Sequence, residues 1–386
     1  MKKLGFGLMR LPHPDPSDWS RVDMDQVKMM VDEYMAAGFS YFDTAYIYHR
    51  GQSEKVFGEA VAARYPRDRF VITTKMPVFM ALKEEDYSRI FEEQLEYCKV
   101  DYFDYYFLHA VGKEIYPTIE KQHGFEFMVQ MKQEGKIKHI GFSYHDDAET
   151  LDRILSEHPE TEVVQLQLNY IDWDSNSIQA GKCYEVCVNH NVMVTVMEPL
   201  KGGSLVNLPK QAADIFYEAN PEASVASWGI RYAASLENVM VVLSGMSSLE
   251  QLQDNVSYMK DFQPLSDDER EIVYRVTESL KEAVAIPCTG CRYCVDGCPK
   301  NIPIPEYFAL YNNQKQYGFA MGLDLTFNNL AAQYGRPSDC IRCKKCERHC
   351  PQHLKITENL ELVGRVFEKE NFNYKNYVTE AERHKA

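Results

Sequence analysis

Eight of the eleven cysteines in this 386-residue chain fall into two groups with one shared spacing. Cys288, Cys291, Cys294 and Cys298, followed by Pro299, and Cys340, Cys343, Cys346 and Cys350, followed by Pro351, both read C-x2-C-x2-C-x3-C-P. That spacing holds cubane iron–sulfur clusters, with three thiolates turning around one cluster and the fourth reaching the other. Zinc sites use paired C-x2-C units and require neither the third cysteine nor the proline. Two [4Fe–4S] clusters are therefore expected. A second set is looser in sequence: Asp43, Tyr48, Lys75 and His109 bring a carboxylate, a phenol, an amine and an imidazole, the side-chain types that hold and move protons. Each alone has an ordinary explanation, since Tyr48 is one of 25 tyrosines and a lone histidine is more often a satisfied core residue.

Eight β-rich runs surround these residues: LGFGLM (4–9), FSYFD (39–43), FVITTK (70–75), FDYYFLH (103–109), KHIGFS (138–143), VVQLQ (163–167), VMVTVM (192–197) and NVMVVLS (238–244). Amphipathic stretches alternate with them, such as MDQVKMMVDEYMAAG, with Asp23 as its cap and Gly38 as its stop, and SEKVFGEAVAARY, with Ser53 as its N-cap. This is an α/β pattern, and eight strand–helix units in about 260 residues predict a (β/α)8 TIM barrel. An open doubly wound sheet would show a GxGxxG turn after its first strand, and the chain has none. In a barrel, Asp43, Lys75 and His109 end the second, third and fourth strands, and Tyr48 follows the second. Four polar groups then meet at three adjacent strand ends, where ionisable residues must be paired or hydrated. Expected boundaries are a barrel over 1–285, a cluster domain over 286–355 and a C-terminal helix and tail over 356–386. The 41-residue spacer between Cys298 and Cys340 leaves room for a helical insertion such as PEYFALYNNQKQY.

Composition narrows the classes further. A hydrophobic share of 45% with 26% charged residues describes an ordinary globular chain. The net charge of −15 argues against nucleic acid and against a basic membrane-binding helix. No run of eighteen apolar residues occurs, and Arg10 and Pro12 interrupt the start, so a cytoplasmic protein without a membrane partner is expected. Cys98, Cys183 and Cys187 read as core thiols, although Cys183 and Cys187 at i, i+4 have a metal-compatible spacing. Trp228 and Arg231 read as parts of a barrel helix. Residues 287–355 carry a net charge of +4 against −19 for the remainder. Those cations either offset the negative charge of the clusters or greet an acidic electron carrier.

The cysteine segment resembles the bacterial two-cluster ferredoxins. The resemblance implies a ferredoxin-like α-helical and loop domain with crossed ligation, Cys288, Cys291, Cys294 and Cys350 for one cluster and Cys340, Cys343, Cys346 and Cys298 for the other. From residue 3 to about 260, FDTAYIY, ITTK, YYFLHA and IGFS resemble the aldo-keto reductase superfamily's tyrosine, lysine, histidine and Gly-x-Ser-Asn motifs. Barrel and cysteines together are similar to the iron–sulfur aldo-keto reductases of bacteria and archaea. The resemblance implies an oxidoreductase that interconverts a carbonyl and an alcohol on a small organic substrate by nicotinamide hydride transfer. Tyr48 would be the acid in reduction and the base in oxidation, and Lys75 would lower its pKa while Asp43 fixes Lys75. His109 would orient the substrate oxygen.

Cofactor contacts implied by the same likeness are Ser143 and Gln165 for the nicotinamide carboxamide, Asn255 for adenine, and the Gly245-Met246-Ser247-Ser248 turn for a phosphate. Three departures stand out: Tyr144 replaces the asparagine after Ser143, Met197 occupies the position of a stacking aromatic, and Gly245 and Gln251 stand where basic residues often bind the 2′-phosphate of NADPH. The choice between NADP and NAD is open. Two alternatives remain: a ferredoxin-like electron-transfer protein whose barrel has lost carbonyl chemistry and serves as a docking or sensing module, and a barrel that binds flavin; a ferredoxin or flavodoxin is the electron partner to expect.

Overall fold

The computed structural model describes residues 1–368, apart from 15–17, 19–20, 81–82, 84, 114, 176–177, 283–284, 287, 289, 296 and 318–320. Eight strands form a closed parallel barrel in chain order: β1 (Leu4–Gly7), β2 (Tyr41–Asp43), β3 (Val71–Met76), β4 (Phe103–Val111), β5 (Ile137–Tyr144), β6 (Val163–Gln167), β7 (Met193–Met197) and β8 (Val239–Ser244). All eight expected runs are strands, each within about three residues of its expected ends. Around them lie α1 (Met24–Ala36), α2 (Ser53–Phe57), α3 (Glu85–Cys98), α4 (Tyr116–Lys121), α5 (Gly124–Gln133), α6 (Ala148–Glu157), α7 (Ala180–Asn189), α8 (Lys210–Ala219), α9 (Val225–Ala234) and α10 (Leu249–Met259).

Local chemistry explains several boundaries. Asp23 caps α1 by accepting the Gln26 N–H at 3.0 Å, and Gly38 ends it with a φ of +84°, as expected of both. Ser53 differs from its expected role as N-cap of α2. Gln52 takes that position, and the Ser53 hydroxyl donates instead to the Leu8 carbonyl at 3.0 Å and meets Thr44 Oγ1 at 2.8 Å. The hydroxyl is buried against the strand ends, where it has better partners than the first turn of a short helix. Cys98, Cys183 and Cys187 are buried core thiols, and among the described residues no group of three ligands could hold a metal ion. Trp228 stacks on Phe216, and Arg231 pairs with Glu269 at 2.7 Å.

Compact packing divides the chain into two units. One comprises Met1–Gly203 with Phe216–Tyr274, and the other Ser204–Ile215 with the chain from Arg275 on. Helix α11 (Asp267–Glu282) contains the division. The second unit also contains α12 (Ile304–Tyr317), α13 (Met321–Gln333), α14 (Lys345–His349) and α15 (Ile356–Phe367). The helical insertion expected between the cysteine groups is α12. The unit's core joins Ile286, Ile302, Tyr307, Phe308, Leu360 and Val363 to Cys294 and Cys346. The polar tail expected at the C-terminus lies outside the described residues. Among those described, no helix is long and apolar enough to cross a membrane.

Inside the barrel, Gly141 on β5 leaves no space for a side chain: an added Cβ would meet the Val163 carbonyl and the Phe107 ring. Gly141→Ala should destabilise the barrel by roughly 1–3 kcal/mol through overpacking, read as a lower denaturant midpoint with unchanged slope. An unchanged midpoint would mean that β5 and β6 are spaced differently.

Candidate active site and cluster cavities

Lys75 is the hub of the barrel mouth. Its side chain projects inward from β3, fully buried, and its ammonium has three acceptors from the β2 end and the loop beyond it. Nζ donates to Asp43 Oδ1 at 2.7 Å, to the Thr44 carbonyl at 2.8 Å and to the Tyr48 hydroxyl at 3.4 Å. Burial works against the charge, but Asp43 and Tyr48 more than offset it and hold Lys75 above the ordinary lysine range. The structure thus brings Asp43, Tyr48 and Lys75 into one cluster. The His109 ring stands edge-on to Tyr48, with centroids 5.9 Å apart, and Phe79 flanks it at 5.7 Å. Burial, then Lys75, then His145 push His109 down to about 3, so its imidazole is neutral at physiological pH. Its Nδ1 is buried with no hydrogen-bond partner.

Lys75 pulls the Tyr48 pKa down as expected, yet burial of the phenol outweighs it and the net shift is upward, with Asp43 and Glu198 adding to the rise. The ammonium is shared with two closer acceptors, so its long contact to Tyr48 cannot win. At neutral pH Tyr48 is a phenol carrying its proton.

The residues expected to hold a dinucleotide are near one another at the ends of β5 to β8, and most are already bonded. Ser143 pairs in register with Gln165, and Gln167 with Met197. Ser143 Oγ accepts the Ala110 N–H at 2.8 Å, which leaves its own proton to donate. Gln165 Nε2 donates across the barrel to Asp43 Oδ2 at 3.0 Å. Asn255 is buried, donating to Ser244 Oγ at 3.0 Å and accepting from Tyr258. In the turn before α10, Ser248 Oγ caps the Gln251 N–H, Gln251 Oε1 accepts the Ser247 N–H at 2.8 Å, and the Met246 side chain belongs to the core. The exposed Gly245 lies under the aliphatic stem of Arg10, and the Arg10 carbonyl accepts from Ser247 Oγ at 2.7 Å. Tyr144 turns away, its hydroxyl donating to the Asp147 carbonyl at 2.6 Å.

In the second unit the thiols gather as two sets around two cavities. Cys288, Cys291, Cys294 and Cys350 line one, together with Ile304, Phe308 and Ile356. Cys298, Cys340, Cys343 and Cys346 line another with Ile302, Ile304 and Leu360. Four thiols against aliphatic walls fit a cubane cluster. Burial, then Cys288, push Cys294 up to about 12, and burial, then Cys340, push Cys346 up to about 11. Such sulfurs keep their protons at neutral pH unless a cation replaces them.

Sequence reasoning missed several groups. Arg10 was read only as a break in an apolar run, yet it crosses Gly245 toward Gly202. Glu198, with a φ of +56°, and His145 act electrostatically on Tyr48 and His109. Glu54, 1% exposed behind β3, carries no periodic or motif signal of its own. A charged residue at an inward-facing helix position was the one available clue.

Comparison with known proteins agrees with this geometry. Residues 3–278 match the model of the aldo/keto reductase family, and residues 287–354 match a 4Fe-4S dicluster domain. L-galactose dehydrogenase of Arabidopsis thaliana is 25% identical over 319 residues, covering 73% of this chain and 89% of that protein. D-galacturonate reductase of Fragaria ananassa is 30% identical over 204 residues, 48% of this chain and 60% of that protein. An aldo/keto reductase from Klebsiella pneumoniae, solved with NADP and acetate, has the same fold, with a TM-score of 0.57 at 23% identity over 71% of this chain and 91% of that chain.

Asp43→Ala would leave the fully buried Lys75 ammonium without its carboxylate. The expected cost is about 3–5 kcal/mol, measured by chemical denaturation. A loss below about 1 kcal/mol, the worth of an exposed pair, would mean that water reaches Lys75.

Proposed function

The chain belongs to the aldo/keto reductase family, and we propose that its barrel reduces a carbonyl on a small organic substrate, and oxidises the alcohol in reverse, through Asp43, Tyr48, Lys75 and His109. The observation that carries this reading is the single ammonium shared among Asp43, Thr44 and Tyr48 at the barrel mouth. A nicotinamide at the ends of β5 to β7 would supply or accept the hydride. Ser143 and Gln165 would bind its carboxamide, and the Met197 thioether would pack on its ring. Asn255 and the Gly245–Ser248 turn would take adenine and a phosphate, with Arg10 adding the charge that Gly245 and Gln251 do not. NADP and NAD both remain candidates.

The proton steps follow from the side chains. In reduction Tyr48 gives its proton to the developing alkoxide, and Lys75 stabilises the phenolate that remains. Asp43 holds Lys75 while that charge appears. His109 has a buried, unpartnered Nδ1, and an N–H without an acceptor costs more than a bare nitrogen, so its proton is assigned to Nε2. From there it donates to the substrate oxygen and orients it.

In the C-terminal domain, Cys288, Cys291, Cys294 and Cys350 would hold one [4Fe–4S] cluster, and Cys298, Cys340, Cys343 and Cys346 the second. The support is their division between two cavities. The clusters would supply one-electron transfer. Cys291 and Cys343 are exposed and flanked by Arg292, Arg342 and Lys344, so an acidic carrier of the ferredoxin or flavodoxin kind is the partner to test. Sugars head the substrate panel because two relatives are named for L-galactose and D-galacturonate.

Tyr48→Phe should cut turnover of an active sugar by roughly 10²–10⁴-fold while NADPH or NADH affinity changes less than about twofold. Because burial raises the Tyr48 pKa, reduction should stay level through neutrality and fall only in the alkaline range, whereas oxidation should climb with pH. Undiminished turnover in the variant would remove Tyr48 from the chemistry. Anaerobically isolated protein should contain about eight iron and eight sulfide per chain. Cys350→Ser should lose the cluster of the first cavity and about half the iron, leaving the EPR signal of the other. Zinc without sulfide would overturn the cluster reading.

A further inference from the structure

Glu54 lies on α2, outside the barrel wall and immediately behind the strand that carries Lys75. Its Oε1 accepts from Thr74 Oγ1 at 2.5 Å and from Gln94 Nε2 at 2.7 Å, and its Oε2 is buried with no hydrogen-bond partner. Gln94, on α3, also donates from Nε2 to the Lys75 carbonyl at 3.0 Å and accepts from the Tyr106 hydroxyl at 2.5 Å. The preceding residue, Ser53, bonds Thr44, whose carbonyl accepts from the Lys75 ammonium. Two adjacent residues on α2 therefore hold Lys75 from both sides: Ser53 through the acceptor of its head group, Glu54 through the strand beneath its backbone.

Hydrogen bonding alone does not account for a carboxyl here. Both bonds run to one oxygen, and a glutamine carbonyl would accept them equally well. What the acid adds is a charge that can come and go. We propose that Glu54 is a positioning residue for Lys75 and, through Lys75, sets how tightly Tyr48 holds its proton. This rests on the proton-transfer reading of the Tyr48–Lys75 pair.

The surroundings suit that role. Lys75 on β3 is a cation that favours the Glu54 carboxylate, while Glu93 and Cys98 on α3 and Tyr106 on β4 oppose added negative charge. Burial pushes Glu54 up to about 7, against the pull of Thr74, Gln94 and Lys75, so its charge changes within the neutral range. Above that pH the Glu54 carboxylate offsets part of the Lys75 field, and Tyr48 binds its proton more tightly. Below it Glu54 is neutral, and Tyr48 is the stronger acid. The alcohol-oxidation rate, which follows the phenolate fraction, should therefore rise with pH along two parallel lines joined by a shallow step near pH 7.

The test uses the full-length protein, with L-galactose as the probe, and Glu54→Gln, which keeps both accepted bonds and removes the charge. The variant should lose the neutral step and shift both the alkaline fall of reduction and the rise of oxidation to lower pH by roughly half a unit. Phenolate absorbance, taken as the difference from Tyr48→Phe in each background, should shift the same way without any substrate. Glu54→Asp keeps the charge but shortens the reach, so it should lower turnover and leave the pH profile in place. A wild-type profile that crosses neutrality on one straight line overturns the proposal even if Glu54→Gln does not fold. So does a folded Glu54→Gln protein whose phenolate titrates as in the wild type, the outcome expected of a purely structural residue. If no sugar, L-galactose included, is turned over, the proposed reaction fails, and the absorbance titration still decides the role of Glu54.

Discussion

The barrel mouth is organised by one demand: a fully buried ammonium must be surrounded by acceptors or it will not stay charged. Lys75 meets the demand with a carboxylate, a main-chain carbonyl and a phenol, all from the end of β2 and the loop that follows. The desolvation penalty of such a group is several kcal/mol, and an uncompensated version would neutralise rather than persist. The positions of Asp43, Thr44 and Tyr48 are thus tied to one another through the cation they share. A parallel barrel suits this arrangement, because its register lines up Asp43 with Thr73 and leaves Lys75 one inward step nearer the mouth.

The second unit solves the opposite electrostatic problem. Its thiols sit against Ile304, Phe308 and Leu360, where a thiolate without a cation would be poorly tolerated. Ile304 lines both cavities, so the two sets of thiols share a single aliphatic side chain as part of their walls. The fourth cysteine of each motif lines the cavity built by the other motif's first three. Neither cavity is complete without both halves of the unit, and the spacer with α12 and α13 can be long because pairing of the motifs, not their closeness in sequence, closes the fold.

Much of this was legible in the sequence, for reasons that differ by region. Strand runs such as VVQLQ over 163–167 match their observed limits because buried parallel strands need continuous apolar character bounded by loops. Cysteine spacing is equally readable, since the geometry of a cluster dictates it. Ser53 was misread because a hydroxyl before a helical stretch signals a cap only when nothing stronger competes, and the Leu8 carbonyl competes. The downward pull of Lys75 on Tyr48 was legible, but the larger upward effect of burial was not, because spacing reveals neighbours but not burial. Glu54 was missed for a related reason: its partners come from β3 and α3, and only the folded chain brings them together.

The pre-engaged polar groups at the barrel mouth have a thermodynamic consequence. Gln165 is occupied by Asp43, Ser247 by Gln251, and Asn255 by Ser244 and Tyr258. A ligand that used these groups would exchange one set of bonds for another, with little net enthalpy from hydrogen bonding. Affinity would then have to come from ring contact and from ionic attraction, which salt weakens. Hydrogen bonds made within the chain thus hold these polar groups in place without help from any ligand.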